Sequence, residues 1–254
     1  MTANPEAWRD EFLAALRFLT RLPAGTADGA AAPGLAAAAW AFPLVGVVIG
    51  ILGGIVYAIA DAFALPKMAA ALLALVATML ATGALHEDGL ADTADGFGGG
   101  HTREHKLEIM RDSRIGTYGV LALIVTVGLR LVALAAIATP WHGLGALVAA
   151  HTLARGLLPA ALHLLPPARA DGLGHGAGQP DVQMAAVAAI VAVVMAFIAL
   201  GVGIALTAAL AAVLVAIAIG ILANRAIGGQ TGDVLGAIEQ GAETAALLAA
   251  AAWS

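Results

Sequence analysis

Cysteine is absent from the 254 residues, which removes disulfides and thiolate metal sites from consideration. Charge is nearly as scarce: 11% of residues are charged against 61% hydrophobic, and mean hydropathy is +0.93. Leu35 to Ala60, Met68 to Leu85 and the 42 residues from Val182 to Ala223 hold no charge at all. Ordinary soluble domains do not have this balance. A basic excess is also missing, with a formal net charge of −5, so nucleic acid is not expected as a partner. Met1 to Asp10 is polar and acidic, without the basic start and apolar core of a cleavable signal peptide. The apolar runs lack period-2 alternation, which excludes the β-barrel solution and leaves membrane-spanning helices.

What is present is long apolar sequence cut by short polar segments. A span needs about 20 residues, so the 182–223 run is too long for one, and Gly201-Val-Gly203 offers the turn between two. Thr117 to Ala138 is broken only by Arg130, and Gly143 to Leu165 only by His151, Arg155 and His163. The expectation is an all-α, polytopic integral membrane helix bundle of about six transmembrane helices. Residues 1–254 form a single catalytic domain. Trp8, Phe12, Leu16 and Leu19 recur at helical spacing among Arg9, Asp10, Glu11 and Arg17, which predicts an amphipathic interfacial helix. With its linker this occupies residues 1–34, and Thr244 to Ala252 predicts a short C-terminal helix.

With a cytoplasmic N-terminus, nine Lys and Arg fall inside, Arg9, Arg17, Arg21, Arg103, Lys106, Arg111, Arg114, Arg169 and Arg225, against Lys67 outside. The same arrangement gathers every polar, glycine-rich segment, 86–116, 166–181 and 224–243, on the cytoplasmic side.

The densest acid lies in His86-Glu-Asp-Gly-Leu-Ala-Asp-Thr-Ala-Asp-Gly-Phe-Gly-Gly-Gly100. On a helix, Asp88, Asp92 and Asp95 at i, i+4 and i+7 share one face, where like charges repel unless a cation lies between them. Hard oxygen ligands suit Mg²⁺ or Mn²⁺, and the alternative is a solvated acidic loop. His86 is a candidate proton-transfer group. In Glu108 to Gly119, Arg111 and Arg114 offer forked donors for phosphate oxygens, with Ser113 between them and Asp112 as a further carboxylate. The competing view is a positive-inside anchor. Gly228-Gly-Gln-Thr-Gly-Asp233 frames Gln230, Thr231 and Asp233 with glycines, as in a turn that contacts phosphate or metal, or in an ordinary interhelix loop. Arg130 and Arg155 stand inside apolar runs, where a charge is expensive and marks either a site or an internal ion pair with an aspartate.

Taken together, Leu85 to Gly100 and Met110-Arg-Asp-Ser-Arg-Ile-Gly-Thr-Tyr-Gly119 closely resemble the cobalamin synthase family, or adenosylcobinamide-GDP ribazoletransferases. Phe18 to Pro23, Phe42 to Gly46, Ala168 to Gly174 and Gly229 to Asp233 extend the likeness along nearly the whole chain. Glu87 departs from it, standing where an apolar residue is expected. The resemblance implies a bacterial inner-membrane enzyme that joins α-ribazole, or its 5′-phosphate, to adenosylcobinamide-GDP with release of GMP, using Mg²⁺. In that scheme Asp88, Asp92 and Asp95 hold the metal with Asp112 or Asp233. Arg111, Arg114 and Arg155 grip phosphate, and an aspartate or His86 takes the proton. A homo-oligomer, or contact with other cobalamin-assembly enzymes, is compatible with it. The acidic motif also resembles that of CDP-alcohol phosphotransferases, but Ala91 is followed by Asp92 where those have an Ala-Arg pair, so that family ranks as the alternative. A transporter is a remote third reading, because the outer loops are nearly featureless.

Overall fold

The computed structural model describes residues 5–25, 33–137 and 139–253. Their regular structure is helical apart from one isolated bridge between Pro167 and Gln230. Residues 26–32 of the expected linker lie outside the described residues. An N-terminal helix α1 (Pro5–Leu19) precedes a short α2 (Leu35–Ala38), which passes through a 3₁₀ turn into α3 (Phe42–Ala62). Then come α4 (Lys67–Thr82), α5 (Leu85–Gly99), α6 (Arg103–Ile109), α7 (Thr117–Ala136), α8 (Pro140–Leu164) and α9 (Gly172–Gly176). The chain ends with α10 (Val182–Leu200), α11 (Val202–Ile227) and α12 (Gly232–Ala251). Five of these segments are long and apolar enough to cross a membrane, with Leu35–Ala62 counted as one, and α4 with α5 makes a sixth, bent by 90°. The expected turn between α10 and α11 is at Gly201, whose φ of +74° suits glycine.

Large side chains face outward and small ones inward. On α10, Ala185, Ala188, Ala192 and Ala196 are buried while Val187, Ile190, Val194 and Ile198 are exposed. On α11, Ala205, Ala208 and Ala212 are buried while Leu206, Leu210 and Leu214 are exposed. Burying a leucine gains little when the surroundings are already apolar, so close backbone approach decides which face turns inward. The tightest case is α3 against α8. Gly46, Gly50 and Gly54 repeat every four residues along one stripe of α3, and a Cβ added at Gly50 would lie 2.5 Å from the Val148 Cα. Overpacking there costs about 1–3 kcal/mol or more. Gly50→Leu should therefore abolish most monodisperse protein on size exclusion in detergent. Gly128→Leu on α7, where an added Cβ meets nothing within 4 Å, should not.

Two features differ from the expectation. The C-terminal helix α12 has 20 residues rather than a short apolar tail, and it runs into the bundle against α5, α7, α8 and α11. Only Gly228 to Thr231 of the 224–243 segment lie outside helices, because Glu239 and Glu243 interrupt the hydropathy of what is nonetheless a buried helix. The acidic segment is helical, and it is reached through a sharp corner. Gly83 (φ +66°) and Ala84 (φ +55°) are both left-handed, and Arg21 packs over Gly83. Left-handed backbone at an alanine is uncommon and mildly strained, so this corner is held by what surrounds it.

Candidate active site

Because α5 is helical, Asp88, Asp92 and Asp95 do share a side of it. The N-terminus of α12 crosses the same helix in backbone contact. A Cβ at Gly89 would lie 3.0 Å from the Asp233 Cα, and one at Gly236 would lie 3.0 Å from the His86 carbonyl oxygen and 3.2 Å from the Gly89 Cα. Two glycines thus bring Asp233, some 140 residues away in sequence, beside Asp88 and Asp92. Asp88 is exposed and Asp92 half-buried. Asp92 is repelled by Asp88, Asp95 and Asp233, and Arg169 offsets that repulsion.

The turn before α12 is built from its own sequence. Gly228 (φ +79°) ends α11, and a side chain at Gly229 (φ +156°) would collide with the Pro166 carbonyl. Gln230 N–H donates to the Pro166 oxygen at 2.8 Å, and its carbonyl accepts from Ala168 N–H at 2.8 Å. Its side chain donates to the Gly174 oxygen at 3.4 Å. Thr231 caps α12 by accepting from Val234 N–H at 3.3 Å, and it donates to Asp233 Oδ2 at 3.1 Å. Gln230 and Thr231 are each 2% exposed, the bonds they make fasten the loop, and Gln230 Oε1 has no hydrogen-bond partner among the described residues.

An ion-pair chain ties the other motif segments to this junction. Arg111 grips Asp171 with bonds of 2.7 and 2.8 Å, Arg169 Nε lies 3.7 Å from Asp171, and Arg169 Nη2 lies 3.3 Å from Asp233 Oδ2. Arg169 Nη1 is buried without a hydrogen-bond partner. Sequence reasoning gave Arg169 no role beyond topology, yet it is the arginine beside the aspartates. Its signal was available in Ala168-Arg-Ala-Asp171, a charged pair in a glycine-rich segment. Arg103 locks the same end by donating to the carbonyls of Ile227 at 2.8 Å and Ala168 at 2.6 Å.

Other expected site residues sit differently. Asp95 is buried, and both its oxygens are taken: Gly116 N–H donates at 2.7 Å and Gly119 N–H at 2.9 Å. It anchors the N-terminus of α7, a favourable place for a carboxylate. Asp112 is clasped by Arg114, with Nη2–Oδ2 at 2.6 Å, which holds its carboxyl well below the usual range. Arg114 and Ser113 are exposed on that loop. His86 is buried on the opposite side of α5 from Asp95, with Nδ1 3.5 Å from Glu239 Oε2.

Beneath the aspartates lies a buried ionic network that the sequence reading largely missed. Arg155 Nη1 pairs with Glu239 Oε1 at 2.5 Å, and Arg130 Nη1 with Glu243 Oε1 at 2.8 Å and Glu87 Oε1 at 3.4 Å. His151 Nδ1 lies 2.8 Å from Glu243 Oε2 and 3.0 Å from Arg155 Nη1. Arg155, expected on a phosphate or an aspartate, is 1% exposed and faces glutamates on α12. Glu87, the departure from the family pattern, is a partner of Arg130. The cue was arithmetic: two intramembrane arginines demand buried acids, and Glu239 and Glu243 at i, i+4 could supply them.

Among the described residues, His151, Glu239 and Glu243 are the set of three ligand-type side chains whose donor atoms already lie within 4.8 Å of one another. Arg130 and Arg155 neutralise both carboxylates, so these donors fit ion pairing rather than a dication. Asp88 and Asp92 make no ion pair to a cationic side chain among the described residues, and Asp233 approaches them across the junction, although the three carboxylates are more widely spaced than the buried set.

The Cobalamin-5-phosphate synthase family model matches residues 11–251. The adenosylcobinamide-GDP ribazoletransferase of Bradyrhizobium diazoefficiens is 54% identical over 239 residues, covering 94% of this chain and 92% of its own. That of Mesorhizobium japonicum is 47% identical over 250 residues, covering 98% and 96%. That of Azorhizobium caulinodans is 47% identical over 244 residues, covering 92% of each chain. No solved structure matches the chain.

Proposed function

The chain belongs to the Cobalamin-5-phosphate synthase family, and from that membership we propose that it joins α-ribazole, or its 5′-phosphate, to adenosylcobinamide-GDP with release of GMP. It is a multi-pass membrane enzyme of cobalamin synthesis. The observation that carries the proposal is the α5–α12 junction, where unpaired carboxylates stand beside an arginine with a free buried N–H.

Asp88, Asp92 and Asp233 would hold Mg²⁺, or Mn²⁺, which when bound neutralises the diphosphate and the charge that develops during transfer. Arg169 Nη1 donates to a phosphate oxygen, and Arg111 holds Asp171 so that Arg169 stays in place. The α-ribazole 3′-hydroxyl attacks the phosphorus on the cobinamide side. The new P–O bond forms as the bond to GMP breaks, and an aspartate of the open face accepts the hydroxyl proton. Asp95 keeps the α7 N-terminus against α5, and His86, turned into the buried network, takes no part in proton transfer. Purified protein given both substrates and Mg²⁺ should release GMP, stop on chelation and resume when Mg²⁺ is restored. Absence of GMP release would overturn the reading.

The junction faces the cytoplasm in this proposal, as the Lys and Arg asymmetry supports, and the membrane is the bacterial inner one. The chain has no native Cys, so single-Cys labelling is clean. A membrane-impermeant thiol reagent on intact cells should label His142→Cys, an exposed position in the first turn of α8, and spare Gly99→Cys at the end of α5. The reverse pattern would invert the topology.

A further inference from the structure

Away from the aspartates, α8 and α11 leave a groove of about 630 Å³ between them. It runs from Leu157 on α8 to Pro166 just beyond that helix and from Val213 to Arg225 along α11, and its walls are apolar until Asn224 and Arg225 at one end. Gly220 gives it depth, since a Cβ there would meet only Leu165, at 3.6 Å. The α11 side spans 13 residues, about 18 Å from the first to the last at 1.5 Å per residue. That is close to one leaflet of a hydrocarbon core about 30 Å thick.

The shape and the charge point to one kind of occupant. An apolar slot of leaflet depth does not hold water, because water needs polar partners. Arg225 stands in the last turn of α11, exposed and without an ion-pair partner among the described residues. A guanidinium at the headgroup end of an apolar slot complements a phosphate and favours lipids with net negative charge. We propose that this groove binds one acyl chain of an anionic phospholipid, with the headgroup phosphate on Arg225. Pro166 lines the mouth, and its carbonyl accepts the Gln230 amide, so the bound chain also braces the turn that carries Asp233. Occupancy itself does not depend on the reaction proposed above.

Native mass spectrometry of the full chain, delipidated in detergent and titrated with phosphatidylglycerol or phosphatidylcholine, tests this directly. The unsubstituted protein should retain one phosphatidylglycerol about five-fold more tightly than phosphatidylcholine, the effect of one basic residue at an anionic surface. Arg225→Gln, at an exposed position, should keep the fold and erase the preference. Ala216→Phe should block the groove and lose the tightly held lipid of either kind, with a melting curve confirming that it folds. Equal retention of both lipids by the unsubstituted protein, or an unchanged preference in Arg225→Gln, overturns the proposal. Displacement of the lipid by α-ribazole would overturn it too, by assigning the groove to a substrate.

Discussion

Asp88→Asn, Asp92→Asn, Asp233→Asn and Arg169→Gln should each lower GMP release by at least about a hundredfold, the scale seen when a metal ligand or a donor to developing charge is removed. Each aspartate change is nearly isosteric, so the Gly89–Gly236 contact between α5 and α12 survives and the melting temperature should barely move. Asp95→Asn should behave differently. Its carboxylate is already bound to the Gly116 and Gly119 amides, so the loss appears first as stability, about 1 kcal/mol as for other helix caps, with turnover reduced less. Metal titration separates the two classes: the Asp88, Asp92 and Asp233 variants should need far more Mg²⁺ for half-maximal rate, and the Asp95 variant should not. Near-normal turnover in two of Asp88, Asp92 and Asp233 would remove the metal from this junction.

Much of that proposed site stands out in the chain because charge in an oily sequence is conspicuous. Asp88, Asp92 and Asp95 stood out for that reason, and the turn at Gly201 did because one span cannot absorb 42 apolar residues. What stayed hidden depends on direction rather than composition. Asp95 looks like Asp88 in sequence, and only the arrival of α7 at Gly116 and Gly119 makes it an anchor. Gln230 and Thr231 stood out because they lie among glycines, and what the sequence did not show is that Pro166 and Gly174 close on that turn. Helix α12 escaped because hydropathy averages count Glu239 and Glu243 as solvent-seeking. They are buried because Arg155 and Arg130 arrive from α8 and α7, and a hydropathy window along one segment cannot register partners 84 and 113 residues distant.

That pairing leads to the largest expected effect on stability. Arg155→Met should destabilise the protein by about 3–5 kcal/mol, because it leaves Glu239, fully buried, without its guanidinium. Against a typical total of about 5–15 kcal/mol, little folded protein should remain. If the harm comes from the orphaned charge rather than from lost packing, removing the second charge must repair it. Arg155→Met with Glu239→Gln should then recover most of the unfolding midpoint measured in detergent, since an amide tolerates burial far better than a lone carboxylate. The rescued protein also isolates what the pair does for the reaction. Glu87 ties the start of α5 to this network through Arg130, with His86 Nδ1 3.5 Å from Glu239, while Asp88 and Asp92 stand within two turns of that attachment. Restored folding with a raised Mg²⁺ requirement would mean that the buried ions set the position of the acidic face. Restored folding with unchanged Mg²⁺ dependence would confine them to stability. A silent Arg155→Met single variant would contradict both, because it would mean that Glu239 takes up a proton at no cost when the guanidinium is removed.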